Sequence, residues 1–228
     1  MTLRETKRTP LRDRILPDYT RCEEIMNMTT HIIGGSVGLL ILIGSILIGA
    51  KHGNPWSIVS GSFYGFFTLV LFAVSSVYHG LHDHIGKRVM QVIDHCTIYF
   101  MIAGTYMPIL LAGVRPKSPA AAWIVFGIEW AAAIAASVFT AIDLKKYSRL
   151  SMICYLAMGW AVIMILPQTV RVLTWRGFYW LLSGGLCYTV GAVLYGLGKK
   201  RHYMHSVFHL FVNAGSLLQA IAILFYVL

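Results

Sequence analysis

Seven blocks of mostly apolar residues, near 28–50, 56–79, 91–114, 119–142, 150–170, 177–198 and 204–228, fill most of this 228-residue chain. Each approaches the ~20 residues an α-helix needs to cross the hydrocarbon core of a bilayer. In lipid every backbone N–H and C=O must be paired within its own segment, so blocks of this kind are expected as membrane-spanning helices. Composition agrees: 57% hydrophobic and 12% charged residues stand against roughly 45–50% and 25% in soluble domains. The expected fold class is all-α, an integral membrane bundle of seven transmembrane helices over residues 23–228. A basic segment, residues 1–22, precedes it and reads as a solvated cytoplasmic tail, its first 20 residues being the one candidate for disorder. That segment lacks the early apolar core of a secretory signal, so the first block is expected to be retained as a span. The net charge of +10 does not indicate a nucleic-acid partner, because such a domain gathers its cations on one solvated face and here they sit between apolar blocks. Cys96, Cys154 and Cys187 lie inside apolar blocks and Cys22 just before the first. No disulfide framework or Cys-x-x-Cys metal site is expected from them.

Positive charge is retained on the cytoplasmic side of a membrane, so alternate connections give the orientation. Fourteen Lys and Arg fall on the side of the N-terminus and five on the other, namely Lys51, Arg115, Lys117, Arg171 and Arg176. With seven spans this sets the N-terminus in the cytoplasm and the C-terminus outside. Trp56, Trp123, Trp175 and Trp180 then fall near the outer helix ends, as an interfacial aromatic belt requires. Gly34 with Gly38, and Gly61 with Gly65, have the four-residue spacing that lets helix backbones approach closely.

Ionisable side chains within a span are costly and face an interior, a partner or a water-filled cavity, so they mark function. Span 2 carries Ser75 and His79 at its cytoplasmic end, span 3 opens with Asp94 and His95, and span 7 opens with His205 and His209. At ~1.5 Å rise per residue, Asp94 lies ~9 Å beyond Arg88, while His205 and His209 lie ~6 and ~12 Å beyond Arg201. Three helices distant in sequence thus place potential ligands in one inner-leaflet layer. His205 and His209, at i and i+4, share a helical face and can grip one metal ion. Three histidines and one open position make the ligand set of a catalytic zinc, with a nearby carboxylate able to orient water or take its proton. Glu24, Asn27 and His31 lie on one face of span 1 at the same level; they either support the cluster or mark an ordinary helix entry, where the dipole favours an acid. Asn213 continues the His205 and His209 face one turn deeper, in a supporting position or in interhelical hydrogen bonding. His52, His82 and His84 read as solvated, and His202, among basic residues, as interfacial. Glu129, ~15 Å into span 4, reads as a protonated or hydrogen-bonded interior residue remote from the cluster.

Glu24-x2-Asn27-x3-His31, Ser75-x3-His79, Asp94-His95-x2-Ile98 leading into Ala103-Gly104-Thr105-Tyr106-x-Pro108, and His205-x3-His209-Leu-Phe-Val together resemble the hemolysin III family. That family is grouped with the progestin and adipoQ receptors, including the adiponectin receptors. The resemblance spans roughly residues 22–228, with 92–111 its most specific stretch. Ser206 departs from it, since a glutamate often follows the first histidine of the last motif. The resemblance implies a seven-helix bundle with a zinc ion near the cytoplasmic face, held by His79, His205 and His209, with Asp94 on zinc-bound water and Ser75 nearby. It also implies the compact bacterial form, in the inner membrane, since no long extra N-terminal domain precedes the bundle.

Two functions follow as expectations. In the first, the protein is a zinc-dependent intramembrane hydrolase of a lipid-like amide or ester, with Asp94 as base and then acid, and Ser75 bonding a ligand or the developing oxyanion. Its partner is then a membrane lipid or lipid-like substrate reaching the metal sideways from the bilayer. In the second, a structural zinc staples the helices of a non-enzymatic protein acting in membrane homeostasis, sensing or cytolysis. Direct coordination by Asp94 favours the second reading, because structural zinc is closed by four protein ligands. Ion transport through Glu129 is the weakest alternative, since one carboxylate does not make a relay. Neither the substrate nor the oligomeric state follows from the sequence.

Overall fold

A computed structural model describes residues 9–198 and 201–228; Arg4, Lys7 and Arg8 of the basic segment, and Lys199 and Lys200 before the last helix, lie outside the described residues. The described chain is helical, with no strand. The helices are α1 (Arg21–Lys51), α2 (Pro55–Gly80), α3 (Ile85–Met107), α4 (Pro119–Ile142), α5 (Ser148–Gly159), α6 (Leu166–Gly198) and α7 (Met204–Tyr226).

Six helical stretches are long and apolar enough to cross a membrane, and the protein is an integral, multi-pass membrane protein. Its exterior supports this: Leu40 and Leu47 of α1, Ile124 of α4 and Val193 of α6 are 64%, 64%, 59% and 50% exposed. An apolar exterior of this extent is a liability in water and is matched by lipid. One stretch, Ser148–Gly198, has 51 residues, and as a straight helix it would be roughly 77 Å long, more than twice the hydrocarbon core. It is not straight. A 3-10 segment, Ala161–Ile165, separates α5 from α6, and Thr174 breaks α6 with φ 58° and ψ 171°, a backbone region that L-residues rarely enter.

The helix ends follow from local chemistry. Thr20 caps α1 through a capping box with Glu23, so α1 begins seven residues before the apolar block at 28 and projects its polar first turns beyond it. Asn54 accepts the N–H groups of Trp56 and Ser57 at the start of α2, with Pro55 in the first turn. In α3, Pro108 has no N–H to continue the ladder, and the helix runs on as a π-helix over Pro108–Val114.

The α1–α2 pair is the closest contact. A Cβ at Gly38 would lie 2.6 Å from the Leu69 backbone nitrogen, and one at Gly65 would lie 2.5 Å from that of Leu42. Only hydrogen at both positions allows this approach, as the glycine spacing predicts. The core, with Tyr64, Leu110, Leu173 and Ile223 fully buried, joins α2, the π-helix, α6 and α7. α5 packs on α3 and α4, and α6 packs on α7. Between these groups runs a cavity of about 610 Å³.

Connections gather at two ends of the bundle. At one, the Arg115 guanidinium lies 3.9 Å over the Trp56 ring, Trp56 meets Trp123 edge to face, and the His52 ring bonds the Leu228 carbonyl. At the other, the chain before α1 is largely exposed over residues 9–20, as a solvated segment would be, but it is anchored to the bundle at a few points. Arg14 donates to the Ile142 carbonyl at 2.9 Å, Arg88 donates to the Arg14 carbonyl at 2.9 Å, and the Thr9 N–H donates to Asp143. The segment thus bonds three helix-end groups on this face, the Ile142 carbonyl, the Arg88 guanidinium and the Asp143 carboxylate, of which the last two also pair with Asp83 and with the Lys146 N–H.

Candidate metal centre

α2 brings His79 and α7 brings His205 and His209 to one point, their ligand nitrogens all within 4.8 Å of one another. His205 Nε2 lies 3.2 Å from His79 Nε2 and 3.0 Å from His209 Nε2. Nitrogens on a tetrahedral zinc, at 2.0–2.1 Å from the ion, are roughly 3.3 Å apart, so the spacing is that of ligands around one ion.

The partners of the outer nitrogens decide what these three can hold. His79 Nδ1 donates to Glu24 Oε2 at 2.6 Å, and His209 Nδ1 donates to the Asn27 carbonyl at 3.2 Å. In a neutral imidazole one nitrogen donates and the other accepts, so Nε2 of both rings presents a lone pair. His205 Nε2 has at most one proton to place between them, and its Nδ1 is buried without a partner. A cation at the centre resolves this excess of lone pairs, and the donor set therefore fits a metal ion. Carboxylate and carbonyl partners on the outer nitrogens are those that orient ligating histidines in metal sites.

α1 supplies most of this support. Glu24 joins His79 to Lys87, whose ammonium lies 2.6 Å from Oε1 and also donates to the Leu81 carbonyl. Asn27 accepts the Ser206 hydroxyl on its side-chain oxygen at 2.5 Å. His31 stacks on His209 with ring centroids 3.6 Å apart and planes 13° apart. Asn213 donates to the Thr30 carbonyl at 2.9 Å, an interhelical bond between α7 and α1.

Asp94 is outside the group of three and, with Ser75, lies on the wall of the cavity that His205 and His209 also line. His95 is not in the cluster: its Nδ1 donates to the Gln91 carbonyl at 2.8 Å and its side chain is 29% exposed. His52, His82 and His84 are exposed, and His202, 72% exposed, meets Glu23 at 3.3 Å. Glu129 is buried in α4, away from the cavity, with Oε2 unpartnered.

Sequence reasoning missed several members. Tyr19 lies parallel to the His205 ring at 5.1 Å and 15°. Lys87 completes the Glu24 bridge, and Glu23 accepts the Tyr203 N–H at 2.6 Å, tying the start of α1 to that of α7. Only Lys87 left a sequence signal, as a cation in the opening turn of a span that carries Asp94 two turns later.

The cavity follows α3 from Gln91 to Ile109, roughly 27 Å at the helical rise. Leu71, Ile98, Met101, Tyr155, Leu182 and Phe208 line it. A long, mostly apolar cavity therefore carries His205, His209, Asp94 and Ser75 on its wall.

A family model described as "Haemolysin-III related" matches residues 19–220. "Hemolysin-3" of Bacillus cereus is 35% identical over 206 residues, 90% of this chain and 92% of that protein. "Hemolysin-3 homolog" of Bacillus subtilis is 35% identical over 208 residues, 91% of this chain and 96% of that protein. "Monocyte to macrophage differentiation factor" of Homo sapiens is 26% identical over 226 residues, 95% of this chain and 88% of that protein.

Proposed function

The chain belongs to the haemolysin-III related family, and from that premise we propose that it is a zinc-binding membrane protein that hydrolyses lipid-like amides or esters. Its chain makes seven crossings in this reading, with Thr174 at the turn between the fifth and sixth, the N-terminus in the cytoplasm and the C-terminus outside. The membrane is the bacterial inner membrane.

The observation that carries the proposal is the position of Asp94. It lies outside the group of three mutually close nitrogens but on the wall of the same cavity. A closed structural site would draw in a fourth protein ligand, whereas a catalytic one keeps a place free toward its substrate. His79, His205 and His209 would hold the zinc, which when bound would supply Lewis acidity and bring the acidity of water into the neutral range. Asp94 accepts a proton and later returns it to the leaving group. Ser75, buried beside Asp94, donates its hydroxyl to the carboxylate or to the substrate carbonyl oxygen. Glu24 holds the His79 ring in the tautomer that presents Nε2 to the metal. The apolar channel along α3 takes an acyl chain and keeps bulk water from the reacting end.

A non-enzymatic reading is favoured by the names of the two bacterial relatives, which refer to haemolysis. In it, zinc staples α2 to α7. Zinc content and melting temperature of wild type and Asp94→Asn, with fatty-acid release from a panel of lipid amides and esters, separate the two. Hydrolysis predicts that Asp94→Asn keeps its metal and fold and loses turnover, because the amide preserves shape but cannot accept the proton. Wild type that binds zinc without turnover, with metal lost from Asp94→Asn, would establish the staple.

A further inference from the structure

Between Pro10 and Thr20 the chain makes a single 3-10 turn, Leu11–Asp13, and crosses the end of the bundle where the histidines lie. Four of its side chains, Ile15, Leu16, Pro17 and Tyr19, form part of the cavity wall. Tyr19 lies flat on His205 and 6.0 Å from the His79 ring, and its hydroxyl pairs with Tyr195. The polar end of the cavity is thus covered by a segment that belongs to none of the seven helices.

Few contacts hold it there. The hydrogen bonds that tie it to the helices run from Arg14 to the Ile142 carbonyl, from Arg88 to the Arg14 carbonyl, from Thr9 to Asp143 and between the Tyr19 and Tyr195 hydroxyls. Ile15 remains 84% exposed, so the segment gains little from apolar burial. Arg14 is buried with Nε and Nη1 unpartnered, and a buried donor without a partner forfeits its hydration. Moving the segment outward would hydrate both nitrogens at the cost of these hydrogen bonds and one ring stack. The capping box at Thr20 and Glu23 holds α1 independently of what precedes it, so such a movement leaves the bundle intact.

We propose that Pro10–Thr20 is a hinged cap on the cytoplasmic end of the cavity, with Tyr19 as its plug over His205. Closed, it shields the polar end from the aqueous phase; open, it admits water and releases polar fragments on that side. The side rests on the orientation proposed above, and the cap itself does not.

The test is the reactivity of a single cysteine on the cavity wall, Ile98→Cys, in the full chain with Cys22, Cys96, Cys154 and Cys187 replaced by serine or alanine. A charged, membrane-impermeant methanethiosulfonate is applied to inside-out and right-side-out vesicles. Tyr19→Ala and Arg88→Met are each expected to raise the labelling rate at least tenfold in inside-out vesicles and to leave it unchanged in right-side-out vesicles. His52→Ala, at the other end of the bundle, is expected to change neither. Acceleration confined to right-side-out vesicles supports the cap and overturns the orientation. Rates unaffected by Tyr19→Ala, or raised equally by His52→Ala, overturn the cap. Hydrogen exchange on the unaltered chain gives a check free of folding defects: amides of residues 11–19 should exchange at least tenfold faster than those of residues 25–35, and equal protection refutes the hinge. Neither readout depends on bound metal or on turnover.

Discussion

Glu24→Gln separates what the carboxylate does for the metal from what it does for the fold. Glu24 receives His79 Nδ1 and Lys87 Nζ on its two oxygens, each at 2.6 Å, with the three side chains 17%, 0% and 7% exposed in that order. Glutamine has one acceptor oxygen, so if it keeps His79 its amide N–H faces the Lys87 ammonium, donor against donor. Loss of a carboxylate behind a ligating histidine costs 10–100-fold in metal affinity, about 1.4–2.8 kcal/mol. Separately, an ammonium left without its counter-charge in a buried pair costs about 3–5 kcal/mol. Lys87 keeps the Leu81 carbonyl and Glu24 is partly exposed, so the lower end, about 3 kcal/mol, applies. Zinc affinity from competition with a chromophoric chelator reads the first effect, and melting of the metal-free protein reads the second. In Glu24→Gln/Lys87→Met the stranded ammonium is gone, so melting should largely recover while zinc affinity stays low. Zinc affinity within threefold of wild type in Glu24→Gln, or its recovery in the double variant, would refute the orienting role.

Three further outcomes are expected. His79→Ala, His205→Ala and His209→Ala should each lose most bound zinc while His82→Ala and His84→Ala retain it; full occupancy in His205→Ala/His209→Ala would refute the ligand set. A reporter fused after Leu228 should be active only outside the cytoplasm, and one placed within residues 143–150 only inside, the reverse pattern overturning the orientation. Burial raises the Asp143 carboxyl, but hydrogen bonds from the Lys146 and Thr9 N–H groups and the charge of Arg14 outweigh it and hold its pKa below the ordinary 3.8. A carboxylate lowered in the folded state stabilises above its unfolded pKa, and that contribution is lost as pH falls through the folded value. Hydrogen exchange in residues 11–19, corrected for intrinsic rates, should therefore accelerate below pH 3.8 in wild type and already be fast at neutral pH in Asp143→Asn.

How much of this molecule is legible in its sequence depends on whether a feature has a period. Hydropathy located the apolar helices because a bilayer demands uninterrupted stretches, and the four-residue spacing of Gly34, Gly38, Gly61 and Gly65 marked positions of close helix approach without naming the partner helix. Helix starts were less legible, since α1 begins at a Thr20 capping box placed in polar sequence. The π-helix after Pro108 and the 3-10 segment after Gly159 were not legible, because neither changes the apolar character by which a span is recognised. At the site, spacings of three and four projected Glu24, Asn27 and His31 onto one face and His205 and His209 onto another, and the structure brings these faces together. The partners without periodicity escaped. Tyr19 reaches His205 from an irregular segment, and Glu23 reaches Tyr203 across 180 residues. Ser206 shows how a departure from a family pattern acquires physical meaning. Its fully buried hydroxyl is bonded to Asn27 Oδ1, and the Asn27 carbonyl in turn receives His209 Nδ1. The orientation of His209 thus rests on α1, and α1 supports the α2 histidine through Glu24 and His209 of α7 through Asn27. A change that shifts α1 relative to α7, such as a side chain at Gly34, which faces both Asn213 and Phe72, therefore acts on the metal centre without touching a ligand.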